Sequence, residues 1–326
     1  MTKFYKNLTC CLALGWEIFS SYSVLAQQNY PDKTITLVVP YAPGGSADVF
    51  ARILGQELGK ELDQSVIVNN HPGAAGNVGA ALVARSPSDG YTLLFGTAAI
   101  AIAPSVYKTL NYDAERDLQA IALVGSSPAL VITTPTGPNT IDQLIAQVRS
   151  QPGVFSYAAS GIGSATHIVA EYFNRKANLD VIVVPYTGAG PAKQGLMSNL
   201  HLYTFETASS AITLVKSGKL KAIALASDQR SPLLPNVPTI TESGIQGVSA
   251  GTWNMVFAPQ KTPKFIIEKL NIAINKALSN PMAAKKLHEL VIDVNASSTP
   301  MSSEAYLKSE TLRWKELVSF SKVKTN

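Results

Sequence analysis

The chain has 326 residues, a net charge of +5 and only 15% charged residues against 46% hydrophobic ones. Such a composition excludes a disordered chain, and the length suits two cores better than one. Basic residues are scattered, with no arginine-rich run or interleaved aromatics, so nucleic acid is not an expected partner.

The N-terminus reads as an export leader. Lys3 and Lys6 precede the apolar stretch Leu8–Gly15, and Val24-Leu25-Ala26 has the small-residue form of a cleavage site, so residues 1–26 are expected to be removed. Both cysteines, Cys10 and Cys11, fall inside that leader. The remaining chain then has no means of forming a disulfide, a zinc-thiolate centre or a cysteine nucleophile.

From there strands and helices alternate. A strand over Thr34–Pro40 runs into the turn Pro43-Gly44-Gly45, with Ser46 as an expected N-cap and Asp48 in the first turn of a helix over Ala47–Leu62. A strand at Ser65–Asn69, a helix at Asn77–Arg85 and a strand at Tyr91–Gly96 complete a βαβαβ order, which implies a parallel sheet covered by helices. Ile121–Thr133 reads as two strand pieces separated by Gly125–Pro128, an expected crossing into a second unit. The second unit alternates again: helix Ile141–Gln151, strand Val154–Ala158, helix Thr166–Asn174, strand Val181–Val184, helix Pro191–Ser198, and strands Leu202–Phe205 and Ala222–Ala226. Gly251–Ala258 is the expected return strand, followed by helices at Lys264–Leu278, Met282–Leu290 and Ser303–Val318 around a short strand near Ile292–Asn295. The expected organisation is therefore one discontinuous α/β lobe of residues 27–127 plus 252–326, a second lobe of 128–251, and a cleft between them.

Three strand-to-helix loops carry the chemistry. They are Tyr41–Asp48, Ser156–His167 and Pro185–Ala192, each with glycines beside serine, threonine or a helix start. Bare amides at helix starts and neutral hydroxyls suit a carboxylate, which accepts several hydrogen bonds. Tyr41 and Tyr186, each following a strand-end proline, are candidate rim aromatics. The stretch Gly161-x-Gly163-x-x-Thr166 lacks the third small residue of a dinucleotide fingerprint. A hydrolase built from Ser160 or Ser164 with His167 and Asp48 lacks a G-x-S-x-G elbow, because Ala158 stands at the first glycine. The four histidines are dispersed without metal-ligand spacing, and neither a metal nor a cofactor is expected.

The loops also resemble a known family. PYAPGGSADVFAR (Pro40–Arg52), NHPGAAGNVGAALVARSPSDGYTLL (Asn70–Leu94), YAASGIGSATH (Tyr157–His167), VPYTGAGPA (Val184–Ala192) and RSPLLPNVPTITESG (Arg230–Gly244) stand in the order found in periplasmic substrate-binding proteins of the tripartite tricarboxylate transporter family, the Bug or TctC-like receptors. The resemblance runs from about Tyr30 to about Val318. It implies a two-domain type II periplasmic binding protein, a "Venus flytrap" of mostly parallel sheets flanked by helices, and no chemical step. A small carboxylic acid would bind between the lobes, and the receptor, expected to be a monomer, would deliver it to membrane permease subunits. A sensor that presents its ligand to a signalling partner is the alternative.

Carried over by position, the implied ligand-binding residues are Tyr41, Gly44, Gly45, Ser46 and Asp48 from the first loop. Ser160, Gly163, Ser164 and His167 come from the second, and Tyr186, Gly188 and Pro191 from the third. The chain departs from the family pattern at Thr187, where lysine is usual, at Gly195, where aspartate is usual, at Ser198-Asn199, where a Gly-Gly turn is usual, and at Phe205-Glu206-Thr207, where Phe-Asp-Asn is usual. Thr187 and Glu206 are accordingly added as specificity positions. Loss of the lysine points to a less anionic ligand, and Glu206 is expected to reach further inward, where it could pair an amine.

Overall fold

A computed structural model describes residues 30–323. The expected leader, residues 1–26, and its cleavage site lie outside them.

Strand β1 (Ile35–Val39) lies between β2 (Val66–Asn70) and β3 (Thr92–Thr97), parallel to both. Helix α1 (Ser46–Leu62) returns the chain from β1, and α2 (Asn77–Ala84) leads to β3. Helices α3 (Ala99–Val106) and α4 (Ala114–Asp117) precede β4 (Leu118–Thr133). The sequence reading has no helix at α3, and it splits β4 in two. β4 is instead one strand of 16 residues, almost wholly buried.

β4 is the structural axis. Its residues Leu118–Pro128 pair antiparallel with β9 (Gly251–Pro259), and Gly125 and Ser126 also pair with β10 (Asp293–Val294). From Ala129 onward the same strand pairs with β7 (Tyr203–Thr207) and β8 (Lys221–Ala226). The pairing partners thus change at Pro128/Ala129, opposite Gly251. A Cβ on Gly251 would lie 2.8 Å from the Pro128 Cα, so only glycine lets the two crossing strands approach this closely.

The second sheet repeats the design of the first. β5 (Ser156–Ala159) lies between β6 (Ile182–Pro185) and β7, parallel to both. Helices α5 (Ile141–Ser150), α6 (Ala165–Lys176), α7 (Ala189–Met197) and α8 (Ala208–Lys216) cover it. The parallel pairs flank β1 and β5, whereas every pair involving β4 or β9 is antiparallel. The sheets are therefore mixed where mostly parallel ones were expected: a strand that runs from one sheet into the next meets its neighbours head to tail.

The chain ends in α9 (Lys264–Ser279), α10 (Pro281–Glu289) and α11 (Pro300–Ser321). α11 begins with a capping box between Thr299 and Ser302 and with Pro300 in its first turn. It packs on α3 and also on α6, where Arg175 Nε donates to Ser321 O at 2.9 Å.

Candidate ligand site

In each sheet the connections leave the central parallel strand in opposite directions. The order β2-β1-β3 reverses at β1, and β6-β5-β7 reverses at β5. Such switch points open crevices beyond the carboxyl ends of the strands. The first loop follows β1 and the second follows β5, the positions that this rule favours, and the third follows β6, the edge strand beside β5. The register places the ends of both strand sets toward the crossing. Thr97 pairs with Asn254 and that residue with Gly125, while Thr207 at the end of β7 pairs with Ala129.

The first loop is pinned from behind. Gly44, at φ +81°, donates its N–H to Asp48 Oδ2 at 2.9 Å, and a Cβ there would meet nothing within 4 Å. Asp48 is buried, and it also accepts from Arg52 Nε at 3.0 Å and from Asn70 Nδ2 at 2.9 Å. Burial alone would raise the Asp48 pKa, but hydrogen bonds from Arg52, Gly44 and Asn70, with the Arg52 charge, hold the carboxyl below its ordinary value. Asp48 therefore shapes the loop from inside. The N-cap is Gly45, without a side-chain cap bond, and Ser46 is the first residue of α1, which corrects the expected Ser46 cap. The amides of Ser46 and Ala47 are left without an acceptor among the described residues.

Tyr41 is anchored. Its hydroxyl lies 2.6 Å from Thr97 Oγ1 and 3.3 Å from Ala75 O, and burial pushes its pKa up to about 12. Thr97 and Asn70, which also donates to Tyr41 O at 2.9 Å, are site-forming residues that the sequence reading missed.

The second loop closes on itself. Ser164 caps α6 and accepts from the His167 N–H at 3.3 Å. The Gly163 N–H donates to His167 Nδ1 at 3.1 Å. Burial lowers the His167 pKa to about 4, so the neutral ring is the form that accepts from Gly163. Ser160 does not touch this histidine: its hydroxyl donates to Glu206 Oε1, and Ser210 Oγ donates to Oε2 at 2.9 Å. Glu206 is only 2% exposed and is engaged at both oxygens, in place of the inward reach expected from its length.

The third loop offers donors. Gly188 is the N-cap of α7, which begins at Ala189, two residues before the expected start at Pro191. The amides of Ala189 and Gly190 find no acceptor among the described residues, and Cβ atoms at Gly188 and Gly190 would meet nothing within 4 Å. Thr187 is exposed beside them. Tyr186 turns back under the helix: its hydroxyl lies 2.7 Å from His201 Nε2, and Ser156 Oγ lies 2.8 Å from His201 Nδ1. The absence of a side chain at Gly195 makes room, because a Cβ there would stand 2.9 Å from Tyr186 Cζ.

No hydrogen bond among the described residues links the first loop to the second or third. The hydrolase arrangement would need Ser160 or Ser164 Oγ within hydrogen-bond reach of the His167 ring. His167 instead serves Gly163, Ser160 serves Glu206, and Asp48 serves the first loop. What the loops supply is a way to hold an anion without changing it. Such an arrangement suits the binding of a small solute.

Comparison with known proteins agrees. The family model "Tripartite tricarboxylate transporter family receptor" matches residues 50–322, and the chain belongs to that family. It is 34% identical over 321 residues to the protein BugT of Bordetella pertussis, covering 96% of this chain and 97% of BugT. The structure of the periplasmic binding protein BugD superposes with a TM-score of 0.85 at 32% identity, covering 91% of this chain and 100% of that one. MatC of Rhodopseudomonas palustris, solved with bound malate, superposes with a TM-score of 0.81 at 32% identity, covering 89% and 100% respectively.

Proposed function

We propose that this protein is a periplasmic receptor that binds a small carboxylate between two lobes, residues 27–127 with 252–326 and residues 128–251, and delivers it as a monomer to a tripartite tricarboxylate-type permease. The observation that carries the reading is the pair of unsatisfied helix starts, Ser46-Ala47 of α1 and Ala189-Gly190 of α7, on loops that no direct bond joins. Each start presents two N–H donors and the positive end of a helix dipole, a combination that favours a carboxylate. A diacid could engage one start with each end, and the malate bound by MatC has that form. Ligand would then shift the balance toward the closed arrangement.

A thermal-unfolding screen of mono-, di- and tricarboxylates, amino acids and aromatic acids tests this. A ligand at a hundred times its dissociation constant adds about 2.7 kcal/mol of apparent stability. Stabilisation by one chemical group of acids, without product formation, is the expected result. A silent screen, or turnover of the stabilising compound, would overturn the reading.

A further inference from the structure

We propose that Glu206 fixes Ser160 as a hydrogen-bond acceptor toward the crevice, so that the bound acid is one carrying a donor, a hydroxyl or an ammonium group, on its carbon chain. This rests on the receptor reading above and narrows the ligand within it.

The argument starts from proton counting. A serine hydroxyl has one proton and two lone-pair sites. The proton of Ser160 goes to Glu206 Oε1. Glu206 is held in turn by Ser210 Oγ at 2.9 Å, and Lys193 of α7 donates from Nζ to the Ser210 carbonyl with its charge facing the carboxylate. Four residues, from the second loop, α7, β7 and α8, thus form one cluster with the carboxylate buried at its centre.

Ser160 is half-buried, as Lys193 and Ser210 are, and it alone of the four stands in the second loop, just past the carboxyl end of β5, whose Ala158 pairs with Thr204 of β7. With its proton committed inward, it can offer only lone pairs outward. A ligand carboxylate placed there would meet an acceptor, whereas a hydroxyl or ammonium group would donate to it. The helix starts of α1 and α7 have the opposite polarity, since their amides only donate. The three loops therefore combine donor ends for carboxylates with an acceptor at the end of β5, and a site built to accept a hydrogen bond discriminates strongly against analogues that lack the donor.

The experiment uses matched acids that differ at one carbon. Titration calorimetry at pH 8 compares succinate, malate and aspartate, then glutarate, 2-hydroxyglutarate and glutamate, and then phenylacetate, mandelate and phenylglycine. The expected result is that, in whichever set binds, the hydroxy or amino acid binds at least tenfold tighter than its donor-free partner. Glu206→Gln, whose amide can donate to Ser160 and release the serine proton outward, should cut that ratio below threefold. Ser160→Ala should do the same, and it guards against a folding defect in the glutamine variant.

A donor-free acid binding within threefold of its partners in the wild-type protein overturns the inference, as does a ratio that survives both substitutions. If all three sets are silent while another donor-free acid stabilises the protein, this inference falls and the receptor reading stands. If no acid binds at all, both fall.

Discussion

Trp253 donates its indole N–H to Glu310 Oε2 at 2.9 Å, which ties β9, the strand that returns the chain to the first sheet, to helix α11. Trp314 donates to the same oxygen at 3.0 Å, so both tryptophans among the described residues converge on one buried carboxylate. Arg313 completes the cluster with Nε 2.7 Å from Glu310 Oε1, and its Nη1 reaches the Ser249 carbonyl at 2.7 Å. Glu310→Ala would leave two buried indole donors without an acceptor. Urea denaturation should show a loss of about 3 kcal/mol, and a smaller loss for Glu310→Gln, which keeps one acceptor oxygen.

Tyr186 and Gly195 form a second testable relationship. Gly195→Ala places a methyl group against the Tyr186 ring and drives the hydroxyl off His201. Because the ring leads directly into the third loop, ligand affinity should fall about tenfold while unfolding free energy drops by only about 1 kcal/mol, one hydrogen bond's worth. An affinity unchanged in calorimetry would show that Tyr186 has no part in ordering that loop.

Stability should depend on pH through His167. Its pKa in the fold is about 4 against a reference value of 6.5, so between these values the unfolded chain binds the extra proton. The contribution is complete above pH 6.5 and is lost as pH falls toward 4, by about 3 kcal/mol. His201, also lowered by burial, acts in the same direction, and Glu206, raised by burial, acts in the opposite one. Unfolding titrations of His167→Gln should therefore show a shallower slope over this window than the wild-type protein, though not a flat one.

Thr187 stands exposed beside the free amides of α7. Thr187→Lys adds a cation there and should tighten di- and tricarboxylate binding about three- to fivefold at low salt, with the gain shrinking as salt is added. Equal affinities across the salt series would separate position 187 from the ligand.

Much of this architecture is legible in the chain because glycine and proline punctuate it. The Pro43-Gly44-Gly45 turn marks the β1–α1 junction, and the three loops read correctly as strand-to-helix turns. Helix α3 escapes the reading because its sequence, AIAIAPSV, alternates like a buried strand and contains Pro104. β4 reads as broken because Gly125–Pro128 are turn-forming residues, yet pairing with β9 and the missing side chain of Gly251 keep them extended. Within the three loops, residue types do not tell which way the side chains point. Asp48 and His167 look like ligand contacts in sequence, yet Asp48 accepts from Gly44, Arg52 and Asn70, and His167 Nδ1 accepts from Gly163. Lys193, Ser210 and His201 carry no local motif, and only the packing of α7 and α8 on the second sheet brings them to the site.

The central claim is that unsatisfied amides at the starts of α1 and α7 hold the ligand. Proline at a first helical position removes an N–H without breaking the helix, and the preceding Gly45 and Gly188 are already extended, as a following proline requires. Calorimetric titration of Ser46→Pro and Ala189→Pro with the acid identified by the thermal screen is therefore the most direct measurement. Each variant should bind at least tenfold more weakly while its unfolding free energy stays within about 0.5 kcal/mol of the wild-type value. Wild-type affinity in both variants would contradict the account.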